Sequence, residues 1–135
     1  MQSLYSIRRK DMKMRSGRLL LPYPISANRY WRVYRGRVVQ SREAGAYKRD
    51  VAKLAKLSGI GVMHGDVEVR VTLRPKMTKS GVEYKKRLDL DNCLKVVLDS
   101  LNGVMYEDDS QIIAINAHVG EGLPLGGVDV EVIHV

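Results

Sequence analysis

The chain has 135 residues, enough for one domain with a real core but not for two. It is 44% hydrophobic and 28% charged, has a single cysteine (Cys93), no apolar run of membrane-spanning length and no signal-peptide pattern. Those values exclude a disulfide scaffold and a helical membrane protein, and fit a globular protein of the reducing cytoplasm. A net charge of +8 calls for a polyanionic partner, nucleic acid first.

The charge is unevenly laid out. Residues 1–87 hold 22 Lys/Arg against 6 Asp/Glu, whereas residues 88–135 hold 1 against 9, the lone cation being Lys95. Residues 1–16 read as a flexible basic arm with no period, and 17–135 as the domain. Leu19-Leu20-Leu21 reads as a strand ending in the stiff Pro22-Tyr23-Pro24. Val33-Tyr34 and Val38-Val39 flank Arg35-Gly36-Arg37, a hairpin pattern. From Tyr23 to Arg42 there is no acidic residue, and arginines alternate with Tyr30, Trp31 and Tyr34. Arg29, Arg32, Arg35 and Arg37 suit DNA phosphates, with the rings available to stack on unpaired or distorted bases.

Ser41 to Leu57 predicts an amphipathic helix. Ser41 is the cap, Ala44, Tyr47, Val51, Leu54 and Ala55 the buried stripe, and Lys48, Arg49, Lys53 and Lys56 the outer face. Val67, Val69, Val71 and Leu73 alternate with polar residues and predict a strand. A basic loop follows over 75–88, with Arg74, Lys76, Lys85, Lys86 and Arg87 placed to hold phosphates. Leu90, Leu94, Val97, Leu98 and Leu101 then predict a helix, capped by Asp89 and stopped by Gly103. Asp91, Lys95 and Asn102 line its flank. Gln111 to Val119 predicts a strand with Ile113, Ile115, Ala117 and Val119 on one face, Gly120 to Gly127 a turn, and Val128, Val130 and Val132 a last strand. His64, His118 and His134 are scattered and lack ligand spacing.

Asp89 and Asp91, joined by Asp108 or Asp109, would form a hard oxygen cluster of the kind that suits Mg²⁺ or Mn²⁺. Each part has a plainer alternative: a helix cap, an ordinary i,i+4 surface pair, and a solvated turn at Glu107-Asp108-Asp109.

Two segments carry a family resemblance. Leu21-Pro22-Tyr23-Pro24-Ile25-Ser26-Ala27-Asn28-Arg29-Tyr30 is similar to the N-terminal signature of the RusA-type Holliday junction resolvases. Arg87-Leu88-Asp89-Leu90-Asp91-Asn92-Cys93-Leu94-Lys95, followed by Asp108-Asp109-Ser110-Gln111, resembles their acidic signature. The resemblance implies a single small α/β domain with a mixed β-sheet and two main helices. It implies a homodimeric, Mg²⁺-dependent endodeoxyribonuclease that resolves four-way junctions in recombination and repair. It assigns Asp89, Asp91 and Asp109 as metal-binding carboxylates and Lys95 as the catalytic lysine, with Asp108 an unassigned neighbour. A nuclease of broader branched or flap DNA, and a non-catalytic basic DNA-binding module, remain as alternatives.

Overall fold

The computed structural model describes residues 16–77 and 90–135. The basic arm up to Arg15, and the loop segment 78–89 that holds Lys85, Lys86, Arg87 and Asp89, lie outside the described residues.

In chain order the elements are β1 (Ser16–Leu21), α1 (Ala27–Tyr30), β2 (Trp31–Tyr34), β3 (Arg37–Gln40), α2 (Arg42–Leu57), β4 (Val67–Arg74), α3 (Leu90–Ser100), β5 (Ile112–Val119) and β6 (Gly127–His134). β1, β6, β4 and β5 form one sheet in that order. β6 is antiparallel to both neighbours, and β5 is parallel to β4. The sheet is therefore mixed, as the resemblance implies. A parallel pair needs a long crossover, and α3 lies within the one that joins β4 to β5.

One face of the sheet is covered. Along β4, Val67, Val69, Val71 and Leu73 are buried while Glu68, Arg70, Thr72 and Arg74 turn the other way. Val128, Val130 and Val132 repeat the pattern on β6. Full burial of such a side chain is worth about 1.5–3 kcal/mol, so a one-residue slip of register would be heavily penalised. The opposite face is polar and internally neutralised. Arg74 Nε lies 2.8 Å from Asp129, and Arg70 lies 3.3 Å from Glu68 and 3.6 Å from Glu131. Arg74, grouped by its sequence position with the phosphate-holding loop, is thus committed to Asp129.

α2 forms where its pattern places it. Ser41 Oγ accepts a hydrogen bond from the Ala44 amide at 3.1 Å, and Ala44, Tyr47, Val51 and Ala55 are buried. Lys48 departs from the expected outer face: it is half-buried and lies 3.8 Å from Asp99 on α3. α3 is rotated from its expected stripe. Val96, Val97, Ser100 and Leu101 are buried, whereas Leu90, Leu94 and Leu98 pack only partly. Gly103, at φ 75°, follows the helix as expected. Asn102, expected on the flank, buries its Oδ1 with no hydrogen-bond partner among the described residues.

β2 and β3 pair as a separate hairpin, with Tyr34 opposite Arg37. The two-residue turn has Arg35 at φ 50° and Gly36 at φ 74°. Positive φ at both positions is what a right-twisted two-residue hairpin requires.

Candidate active site

Asp91 opens the first turn of α3, and Lys95 follows one turn later. Their charged groups are 3.4 Å apart, with side chains 74% and 63% exposed. An exposed pair of this kind contributes only a few tenths of a kcal/mol. Stability therefore gives little reason for it, and both groups stay open to a ligand.

Glu107 to Gln111 is the second acidic segment, and the backbone treats its two aspartates differently. Asp108 caps a short 3-10 turn, Asp109–Gln111, and its Oδ2 accepts from the Ser110 amide at 3.0 Å. That hydrogen bonding, led by the Ser110 side chain, holds the Asp108 carboxyl below its ordinary range. Among the described residues nothing hydrogen-bonds or ion-pairs with the Asp109 carboxylate. Asp108 thus serves the cap, and Asp109 is not drawn into it. Gln111 belongs to this turn, so the expected strand starts at Ile112.

Gln111, quoted in the acidic signature without a role, is a positioning residue. Its Oε1 accepts from the amides of Glu107 and Asp108 at 2.7 and 2.9 Å. Its Nε2 donates to the carbonyls of Met63 and Gly65 at 2.9 and 2.7 Å. One amide thereby ties the acidic turn to the strand entry. Between those carbonyls, His64 Nδ1 meets Glu107 at 2.6 Å, which gives this histidine a structural partner.

The turn is joined to α3 by Tyr106, whose hydroxyl donates to the Leu98 carbonyl at 2.6 Å. Burial first, and then the charges of Asp109 and Asp99, push this phenol well above the usual tyrosine value. Asp109 follows Tyr106 by three residues and its charge acts on that buried phenol, while Asp91 lies in the first turn of α3. Among the described residues no three His, Cys, Asp or Glu side chains gather into a metal-binding group. The structure brings Asp91 and Lys95 together; Asp89, expected to complete a group of three with Asp91 and Asp109, lies outside the described residues.

Asp99 is a residue missed from the sequence. It accepts hydrogen bonds from the Tyr30 hydroxyl and, at 2.9 Å, from Gln40 Nε2. Tyr30 is 0% exposed, and burial followed by the Asp99 hydrogen bond raises its pKa strongly. This corrects its expected role: the ring is in the core and cannot stack on bases. Trp31 packs edge-on against Tyr30 with centroids 4.9 Å apart, and Tyr34 remains exposed. The only sequence cue to Asp99 is an acidic residue set between Leu98 and Ser100 on an apolar stretch.

The N-terminal signature turns out to be largely a clamp. Leu21 is buried, the Pro22 carbonyl accepts from the Tyr47 hydroxyl at 2.8 Å, and the Tyr23 ring lies against Gly126. At Gly126 an added Cβ would sit 2.7 Å from that ring, and φ is 72°. Glycine is needed there on both counts.

Of the expected phosphate contacts, Arg29 is paired with Glu43 at 2.5 Å. Arg32, Arg35 and Arg37 are exposed on the hairpin, and Arg35 lies over the Tyr34 ring at 5.3 Å from its centroid. Lys76 is exposed, just past β4, where it bridges to Leu123.

The described residues thus form a small mixed-sheet α/β domain with an exposed acid–lysine pair on α3 and a cationic hairpin. The family model described as "Endodeoxyribonuclease RusA" matches residues 22–133. The "Crossover junction endodeoxyribonuclease rusA" of Enterobacteria phage HK97 is 32% identical over 120 residues, covering 88% of this chain and 95% of the relative. The protein of that name in Escherichia coli (strain K12) is 32% identical over 97 residues, covering 70% and 75%. That of Enterobacteria phage 82 is 32% identical over 102 residues, covering 74% and 79%. The chain belongs to the RusA endodeoxyribonuclease family.

Proposed function

We propose that the chain cuts four-way DNA junctions by metal-assisted phosphodiester hydrolysis, with Asp89, Asp91 and Asp109 as carboxylate ligands and Lys95 as the phosphate-directed cation. The observation that carries this reading is the family match across residues 22–133, which spans both the cationic hairpin and the acidic segments. The donor chemistry fits a hard cation: the Asp91 carboxylate is open to solvent, with only Lys95 beside it, and that of Asp109 has no partner among the described residues. Mg²⁺ or Mn²⁺, when bound, supplies charge neutralisation at the phosphate and a more acidic water.

The chain's own residues do the rest. In the hydrolysis a water oxygen bonds to phosphorus, the bond from phosphorus to the 3′-oxygen breaks, and a proton ends on that leaving oxygen. Lys95, as an ammonium, holds a non-bridging phosphate oxygen and opposes the charge that grows there. Arg32, Arg35 and Arg37 draw in and align the flanking backbone.

A junction has two-fold symmetry and needs two nicks, so two copies of the chain are the natural unit. Support comes from β5, an outer strand of the sheet, Ile112–Val119, with no Asp, Glu, Lys or Arg and with Ile113, Ile115 and Val119 exposed. Unprotected edges of this kind invite pairing. The place of action is the cytoplasm of a bacterial cell, on its own or phage DNA. No described helix is long and apolar enough to cross a membrane.

The test is nicking of a synthetic four-way junction, with a linear duplex of the same sequence alongside, each with and without Mg²⁺. Metal-dependent cutting of the junction alone is the expected result; equal cutting of flaps would favour the broader nuclease. Asp91→Asn is expected to bind the junction and not cut it, and Lys95→Ala to lose about 10²–10³ in rate. An Asp91→Asn variant that cleaves normally removes the site assignment.

A further inference from the structure

We propose that the β2–β3 hairpin is a wedge for the branch point, with Val33 and Val38 lying against the bare face of a base pair that has lost its stacking neighbour. The proposal rests on the junction reading above and names the part of the protein that distinguishes a branch from a duplex.

Val33 and Val38 are directly opposite each other and are 71% and 70% exposed. They share one face of the hairpin with Trp31, since residues two apart in a strand point the same way. Two β-branched residues paired in the open contribute little to the described core, so the fold gives no account of them. The other face carries Arg32, Tyr34 and Arg37 together with the half-buried Val39 opposite Arg32, and Arg35 is at the turn. The hairpin is therefore a blade, apolar on one side and cationic on the other.

Charge says what meets this blade. No Asp or Glu occurs between Tyr23 and Arg42. The nearby carboxylates are taken at its base, Glu43 by Arg29 and Asp99 by Tyr30, Gln40 and Lys48. Arg32, Arg35 and Arg37 have no carboxylate partner among the described residues. A second copy laid on the valine face would leave Arg32 and Arg37 of both copies on the outer faces with no counter-charge. DNA offers phosphate for the arginines and an aromatic surface for the valines.

Geometry says where on DNA. In a continuous duplex every interior base pair is stacked on both sides. At a branch, terminal pairs can expose a face, and apolar side chains are known to wedge against unstacked steps. The hairpin is firm enough to press there. Trp31 packs edge-on against the buried Tyr30, the Ser41 amide bonds the Tyr30 carbonyl at 2.9 Å, and Gln40 is fastened to Asp99.

The test uses the whole protein without divalent metal, a four-way junction carrying 2-aminopurine beside the branch, and a linear duplex of matching sequence. Wild-type protein is expected to raise the fluorescence on the junction and to prefer it to the duplex. Val33→Ser/Val38→Ser is expected to abolish the rise and to reduce the preference on the order of tenfold, since the apolar surface that wedges against the unstacked pair is removed. Its duplex affinity, set by the arginines, should stay within about twofold. An unchanged rise and preference overturn the wedge. So does a double variant whose sedimentation shows a lost oligomer, because the valines then face a second copy. A wild-type protein with no junction preference removes the functional reading and the wedge with it; a preference that survives the double variant removes the wedge alone.

Discussion

Asp108 and Asp109 are neighbours, both exposed, and identical in chemistry, yet the backbone assigns them different work. Asp108 Oδ2 closes the cap over Ser110, while Asp109 begins the turn with a carboxylate that has no partner among the described residues. Substitution should separate the two roles. Asp109→Asn is expected to abolish junction cleavage with the melting temperature unchanged. Asp108→Ala is expected to keep cleavage and melt earlier, and Asp108→Asn to keep both cleavage and melting temperature, because asparagine also caps. The acid limb gives an independent check. The hydrogen bonds hold the folded-state pKa of Asp108 below its unfolded value. Its stabilisation is thus complete at neutral pH and is lost as pH falls through the depressed folded value. The gap in melting temperature between wild type and Asp108→Ala should narrow on acidification; a constant gap would mean that the carboxylate is not what holds the turn.

At the scale of elements, the cross-tie from Asp99 to Tyr30, Gln40 and Lys48 joins α3 to α1, the hairpin base and α2 at one point. Asp99→Ala leaves the buried Tyr30 hydroxyl without its acceptor and is expected to destabilise the protein by about 1–3 kcal/mol in urea unfolding. Asp99→Asn keeps an acceptor and should lose less; equal losses would show that packing, not the hydrogen bond, matters there. This tie also marks where sequence reading stopped. Elements with local signals were legible: the Ser41 cap, the α2 stripe, the alternation of β4 and the Arg35-Gly36 turn all came from neighbours within a few residues. Tyr30 did not. Beside arginines it looked like a ring for bases, and it is buried because an acceptor 69 positions away completes it. The rotation of α3 has the same origin. Leu90, Leu94 and Leu98 outweigh Val96 and Ser100 as apolar residues, but the surfaces of α1, α2 and β5 decide which side is covered. Of the site, the pairing of Asp91 with Lys95 was readable from spacing. The separate tasks of Asp108 and Asp109 follow from the local Asp108-x-x-Gln111 capping box, whereas the reach of Gln111 to Met63 and Gly65 is what no local pattern announces.

Over the whole molecule, net charge alone does not say which cations meet DNA, because the fold spends some of them internally. Arg70 and Arg74 sit on the polar sheet face among Glu68, Asp129 and Glu131, so that face has little field to offer a phosphate backbone. The hairpin carries Arg32, Arg35 and Arg37 with no described carboxylate beside them, and there the field is left standing. Counterion release turns this contrast into a number, since each phosphate neutralised on duplex DNA contributes about 0.9 to the slope of log affinity against log salt. Replacing the three hairpin arginines by alanine is expected to lower that slope by roughly 2–3. Arg70→Ala, which removes a cation already paired to Glu68 and Glu131, is expected to leave the slope unchanged although the change in formal charge per residue is the same. Fluorescence anisotropy on a linear duplex between low and moderate salt measures both. If Arg70→Ala flattens the slope as much per residue as the hairpin variant does, affinity follows total charge, and the hairpin has no special claim to the DNA backbone.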